Sequence, residues 1–217
     1  MFSNKMSFDI IRTFMAARAV EITRKELVLD DDNSDVFDLL CYYFIDDEEG
    51  FLKKCRLLEV NNPDIKKGIL LAGNVGTGKT YLMDLFRKNQ RQVYFTRDSK
   101  KIVNDFMAAK DDEIPEEYLK PFMLRINDPQ TLYQPCAGMC IDDLGKETMK
   151  NKYGNKMNVI GDLIEERYSA GYTGVFLHAT TNLSVPELTD HYGERVVSRI
   201  SETFNMIVLE GNDRRRG

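Results

Sequence analysis

The 217-residue chain reads as an α/β protein, a parallel sheet with helices on both faces. Three observations predict this. From residue 68 onward, short apolar runs alternate with longer stretches of helical periodicity. The first apolar run stops at a glycine-rich turn, GNVGTGKT, residues 73–80. The third ends in two adjacent carboxylates, in CIDD at 140–143. Strands that alternate with helices need crossover connections, and crossovers give parallel pairing.

The expected strands are 68–72, 92–96, 137–142, 174–181 and 205–210. The expected helices are 79–88, 99–109, 156–169 and 186–202. Ile69 to Ala72 is a continuous apolar run, as a strand buried on both faces requires. Tyr81, Leu82, Leu85 and Phe86 then recur at helical spacing. Met157, Ile160, Ile164 and Tyr168 form one apolar stripe. Residues 111–135 carry Pro115, Pro121, Pro129 and Pro135 and read as a loop with short helical pieces.

The chain divides into a helical region, 1–60, and a core region, 61–217. Ile10, Ile11, Phe14 and Met15 set the helical period of the first part. From Asp30 to Glu49 there are acidic residues and no basic ones, interleaved with Val36, Phe37, Leu39, Leu40, Tyr42, Tyr43 and Phe44. Two readings fit this run. One is an amphipathic helix with a solvated acidic face, the other a docking surface for a basic partner.

The net charge of −5 argues against a coat of positive charge for nucleic acid, while a local basic groove stays compatible with it. No apolar run reaches the roughly 18 residues of a membrane span, and the first residues lack the apolar core of a signal peptide. Cys41, Cys55, Cys136 and Cys140 form no C-x-x-C pair, and His178 and His191 stand at no zinc-ligand spacing. A cytoplasmic protein with reduced thiols is the expectation.

GNVGTGKT fits G-x-x-x-x-G-K-[ST] at every fixed position. Glycines at 73, 76 and 78 let the backbone turn tightly and point N–H groups into one concavity. The following helix adds its positive end. Lys79 reaches the β- and γ-phosphates of a nucleotide, and the Thr80 hydroxyl can ligate Mg²⁺. Gly73, Asn74, Val75, Gly76, Thr77, Gly78, Lys79, Thr80 and Tyr81 are therefore the expected nucleotide cradle. With Gly at about 7% of residues, the fixed letters alone arise by chance in roughly one such chain in a hundred. The flanking strand and helix lower that further.

Strand ends gather ligands in parallel sheets, so Asp142 and Asp143 belong beside the phosphates. Asp142 is expected to hold Mg²⁺ through water, and Asp143 to orient or deprotonate an attacking water. Three further features bear on the chemistry. Asn182 ends the run GVFLHATTN and can contact the γ-phosphate and the water, or cap the next helix, a role Ser184 can also fill. Arg195 and Arg199 lie four apart on one helix face, where a guanidinium could stabilise phosphoryl charge. Arg167 ends the LIEERY helix.

In order, GNVGTGKT, CIDDLG, LIEERY, ATTNLSVPEL and GERVVSRI resemble the AAA+ ATPases of the bacterial helicase-loader and transposition-helper type, over about residues 64 to 212. The resemblance implies a P-loop αβα sandwich with a five-stranded parallel sheet and a reduced or absent C-terminal lid. It implies ATP and Mg²⁺ as cofactors, Lys79 and Thr80 as Walker A, and Asp142 and Asp143 as Walker B. Asn182 would be sensor 1. Arg199 would act on a neighbouring subunit's ATP, with Arg195 or Arg167 assisting. The late GNDRRR looks like the family's terminal glycine and arginine. ATTN stands where the family more often has TSN, and Asp143 where a glutamate is common, which suits slow turnover.

The implied activity is ATP hydrolysis by a homo-oligomer formed on ATP binding. Single-stranded DNA is the expected substrate surface, with Lys100, Lys101, Lys146, Lys150, Lys152 and Lys156 as contacts. A replicative helicase or transposase would dock on residues 1–60. Two other readings use the same cradle: a nucleotide-binding adaptor without turnover, and a small-molecule kinase with residues 111–135 as its lid.

Overall fold

The computed structural model describes residues 7–23, 26–109, 113–123, 136–152 and 155–214. Three helices come first, α1 (Phe8–Thr23), α2 (Ser34–Phe44) and α3 (Glu48–Leu57). The five parallel strands are β1 (Gly68–Ala72), β2 (Tyr94–Asp98), β4 (Cys136–Leu144), β7 (Leu177–Thr181) and β8 (Phe204–Val208). Between them run α4 (Lys79–Leu85), α5 (Ser99–Ala108), α6 (Glu116–Leu119), α7 (Val159–Ser169), α8 (Val185–Tyr192) and α9 (Glu194–Thr203). Three short strands complete the set: β3 (Phe122–Met123), β5 (Lys150–Lys152) and β6 (Asn155–Met157).

The parallel strands lie in the order β2-β4-β7-β1-β8. Strand periodicity distributes their side chains over two layers. Ile69, Leu71, Tyr94, Cys140 and Ile207 join one core with α2, α3 and α4. Leu70, Met139, Ile141, Leu177 and Phe204 join the other with α5, α7, α8 and α9. Right-handed crossovers explain the split. The chain moves from β1 in one direction to the edge at β2, with α4 on the first face. It then returns in the other direction through β4 and β7 to β8, which places the later helices on the opposite face. The N-terminal helices therefore have a specific task. Residues of α1, α2 and α3 such as Met15, Phe37, Phe44 and Phe51 cover the face that α4 alone leaves open, and the core runs without a break across residue 60.

Several expectations change in detail. The five parallel strands stand as expected, and among the described residues the short β3 adds an antiparallel pairing to the start of β4. The expected helix at 156–169 starts at Val159, because Asn158 caps it by accepting from Gly161 N at 3.1 Å. The preceding residues pair as the β5–β6 hairpin. The expected helix at 186–202 is two helices, separated by Gly193 at φ +87°. The expected strand at 174–181 begins with a 3₁₀ turn, Gly174–Phe176. Of the loop at 111–135, residues 111–112 and 124–135 lie outside the described residues.

Much of the acidic run is paired within the chain, while Asp31, Glu48 and Glu49 stay exposed. Lys54 pairs with Asp35 at 2.6 Å and Asp38 at 3.0 Å, and Arg12 pairs with Asp38 at 2.8 Å. Arg91 pairs with Asp46 at 3.2 Å. Asp47 caps α3 through Gly50 N. Helix α2 buries Val36, Phe37, Leu39, Leu40, Tyr43 and Phe44, so its carboxylates meet cations of the same chain. Cys41, Cys55 and Cys140 are buried free thiols, and burial pushes the Cys55 thiol up to about 12. No helix among the described residues is long and apolar enough to cross a membrane.

Candidate functional site

The glycine-rich turn follows β1 directly. At Gly73, φ is +150° and a Cβ would lie 2.2 Å from the Leu209 carbonyl oxygen, so any side chain would collide with the strand-to-tail connection. Gly78 takes φ +100°, a left-handed conformation from which α4 starts. The turn encloses Lys79, which is 5% exposed. Its ammonium donates to the carbonyls of Gly73 and Asn74, both at 2.8 Å, and to Asn182 Oδ1 at 2.7 Å. Burial of an ammonium requires such acceptors.

The acid pair owes its aim to a bulge. β4 and β7 pair Ile141 with Ala179 and then Leu144 with Thr181, so β4 holds one extra residue there. Asp143 takes φ +56° within it, a conformation that Asp tolerates better than most residues. Asp142 Oδ1 accepts from the Thr80 and Thr180 hydroxyls, both at 2.7 Å. Asp143 N donates to Thr180 Oγ1 at 3.0 Å. Asn182 Nδ2 donates to Asp143 Oδ1 at 3.1 Å, so one amide joins Lys79 to Asp143. Asn182 is free for this because Ser184 and Glu187 close the cap of α8.

A cavity of about 860 Å³ opens over these groups, within the usual range of small-molecule sites, roughly 300–1,000 Å³. Val75 to Leu82, Asp143, Lys146 and Asn182 form one wall. Glu26, Leu27, Val28, Asn33 and Arg214 form another. The two walls are tied together. Arg214 N donates to Gly76 O at 3.0 Å, and its guanidinium donates to both Asp30 oxygens at 2.7 and 2.8 Å. That hydrogen-bonded guanidinium holds the Asp30 carboxyl below its ordinary range. Arg215 and Arg216 of the terminal run lie outside the described residues.

Among the described residues no group of three His, Cys, Asp or Glu side chains could hold a metal. A hydroxyl and a carboxylate within one hydrogen bond, as at Thr80 and Asp142, fit Mg²⁺, which usually keeps water and substrate phosphate oxygens as its other ligands. His178 offers no base. It is buried in β7, accepts from Ile69 N at 3.0 Å, and burial lowers it to about 3.

The arginines separate into two kinds. Arg199 stacks over the Tyr168 ring at 4.3 Å and lies 3.3 Å from Glu202. Arg195 is exposed and pairs with Glu165 at 2.7 Å. Both stand on α9, away from the cavity wall. Arg167 is 1% exposed and donates to the carbonyls of Tyr118, Phe176 and Tyr172 at 2.8, 3.0 and 3.1 Å. Burial lowers it to about 10. The guanidinium joins α6, α7 and the turn before β7, contacts that compete with the assisting role expected of it at a neighbour's phosphate.

Of the lysines expected at DNA, Lys101 pairs with Asp105 at 2.8 Å and Lys146 with Asp143 at 2.5 Å. Lys100 is exposed on α5, Lys150 lies on β5, and the side chains of Lys152 and Lys156 lie outside what is described. Sequence reasoning missed Thr180, Arg214 with Asp30, and Glu147. Glu147 is buried and accepts from Gly145 N at 3.0 Å and from the Tyr192 hydroxyl, linking the turn after β4 to the end of α8. A charged residue four positions beyond the acid pair was the available signal.

No family model and no curated protein matches the chain. Among solved structures it is similar to that of DnaI, with 20% identity and a TM-score of 0.51 over 90% of this chain and 93% of that one. It is also similar to the crystal structure of the DnaC helicase loader, with 21% identity, TM-score 0.45, and coverage of 76% and 90%. A putative primosome component from Streptococcus pyogenes serotype M3 matches at 18% identity, TM-score 0.49, over 87% and 85%. The similarity to DnaI shows a shared fold, and the resemblance drawn from the motifs holds at that level.

Proposed function

We propose that the chain is an ATP-binding and ATP-hydrolysing AAA+ protein of the helicase-loader or transposition-helper type. The observation that carries this reading is the hydrogen-bonded set Lys79–Asn182–Asp143, which lines one cavity together with Thr80, whose hydroxyl donates to Asp142. Lys79 and the turn amides bind the phosphates. Thr80 and Asp142 hold Mg²⁺, which neutralises phosphate charge when bound. Asp143 accepts a proton from water or orients it, and Asn182 aligns that carboxylate. Arg195 and Arg199 do not line their own chain's cavity, and in this reading Arg199 serves the site of a neighbouring copy, with Arg195 beside it. A head-to-tail oligomer follows, and ATP then governs its assembly.

The proposed work is on single-stranded DNA together with a replicative helicase or transposase bound through residues 1–60. The fold shared with DnaI and the order of the motifs lend the reading its direction. The exposed apolar residues Ile10, Phe14 and Val20 on α1 suit such a contact.

The test is a mixing experiment. Arg199→Ala and Asp143→Asn are each expected to bind ATP and turn it over poorly. Mixed, they form interfaces with one intact acid site and one intact arginine, and turnover recovers in part. Absence of recovery removes the action in trans. ATP that stays intact with DNA and at high protein concentration favours the adaptor. Turnover that requires an added acceptor favours the kinase.

A further inference from the structure

Asp143 is occupied on both carboxylate oxygens. Asn182 Nδ2 donates to Oδ1 at 3.1 Å, and Lys146 Nζ lies 2.5 Å from Oδ2. The two contacts differ in kind. Asn182 is anchored in turn by Lys79. Lys146 stands on the turn after β4, and its side chain is 48% exposed. Its backbone N–H donates to Asp143 O at 3.0 Å, so the turn is fixed while the side chain can leave. Both residues line the cavity.

Exposed ion pairs are weak, each worth at most a few-fold in an equilibrium. A phosphate presents more charge and more acceptor oxygens than a carboxylate, and lysine is a common phosphate ligand. A phosphate arriving near this turn can therefore draw Lys146 away, which frees an oxygen of a carboxylate that lines the cavity. We propose that Lys146 is a latch on Asp143 that a phosphate group opens, which makes turnover depend on what Lys146 touches. This rests on the ATPase reading given above. Two sources supply the same chemistry: the terminal phosphate of the bound nucleotide, from within the cavity, and a nucleic-acid backbone, from solvent.

The test is a double-mutant cycle of wild type, Lys146→Ala, Asp143→Asn and the double variant. Fluorescence anisotropy measures affinity for a labelled oligo-dT, a non-hydrolysable triphosphate and the diphosphate. Because binding and latch release are linked, Asp143→Asn is expected to tighten the phosphate ligand about two- to fivefold. In the Lys146→Ala background that gain disappears. A gain confined to oligo-dT assigns the nucleic acid as source, and one confined to the triphosphate assigns the nucleotide. An equal gain with and without Lys146 is a general charge effect and overturns the latch, as does no gain for any ligand. In turnover assays, Lys146→Ala is expected to raise unstimulated hydrolysis and blunt stimulation. A fall in unstimulated hydrolysis puts Lys146 on the reacting phosphate instead, and also overturns it. Should no variant hydrolyse ATP under any condition, the ATPase reading fails while the affinity cycle still decides the latch.

Discussion

Lys79 is enclosed by Gly73 O, Asn74 O and Asn182 Oδ1, whereas Arg199 rests on the outer side of α9 over the Tyr168 ring. Both are cations assigned to phosphate. The first is held in place before any ligand arrives, inside a turn whose backbone conformation leaves it one direction to point. The second is held by a ring face and a carboxylate that solvent reaches, and it can turn outward without unmaking the core. On the proposed reading, the first group serves its own chain and the second a neighbouring copy. Arg167 sharpens the contrast. It is as buried as Lys79, yet it does not line the cavity, and its donors meet carbonyls of three separate segments that it holds together.

The largest effect expected from breaking this contrast is on turnover. Arg199→Ala should lower the rate of the assembled protein about a thousandfold, while nucleotide affinity stays within about twofold. A matched loss of affinity in a nucleotide titration would place Arg199 in its own chain's site and end the comparison. Next comes Arg167→Met, which takes the donor from one buried and two partly buried carbonyls and should cost about 2 kcal/mol in urea unfolding. The folded fraction should still bind nucleotide as wild type does, and weaker binding by that fraction would return Arg167 to the site.

Lys79→Ala removes charge-assisted hydrogen bonds to phosphate. It should weaken nucleotide binding about ten- to a hundredfold, read by titration with a fluorescent nucleotide. Unchanged affinity would mean that the enclosed ammonium is structural, like Arg167.

The smallest effect concerns the tie across the cavity. Arg214 holds the Asp30 carboxyl below its ordinary range, so the pair's contribution is full above about pH 4 and fades as pH falls through the lowered value. Asp30 is partly exposed, and screening keeps the contribution to a fraction of 1 kcal/mol. Wild type should lose slightly more stability than Asp30→Asn between pH 6 and pH 3. Parallel acid-unfolding curves for the two proteins would show that the tie carries no stability.

Local patterns announced much of this molecule. Ile69 to Ala72, the glycine octet and CIDD each state their role within a few residues, because strand burial, backbone turning and strand-end placement are local or nearly so. The β1 bounds, 68–72, agree with the expectation residue for residue. Lys146 was visible only as a lysine on a loop, because its meaning lies in the carboxylate it meets. Arg167 looked catalytic since guanidinium chemistry suits phosphate, and nothing in LIEERY shows that three carbonyls from separate segments surround it. The acidic run at 30–49 looked like a surface because its cations, Arg12, Lys54, Arg91 and Arg214, come from elsewhere in the chain.

By itself, the sequence determined the alternation of strands and helices, the turn that follows β1, and the presence of two acids at the end of β4. Periodicity and glycine placement are enough for these, since they act through bonds and near neighbours. Only the tertiary structure decided which acids and cations are paired, which arginine is core and which lies at the surface, and that a bulge between Ile141 and Leu144 aims the acid pair. Those outcomes depend on groups far apart in sequence meeting at a particular distance and depth, and pairing and burial, rather than residue type, set what a charged side chain can do.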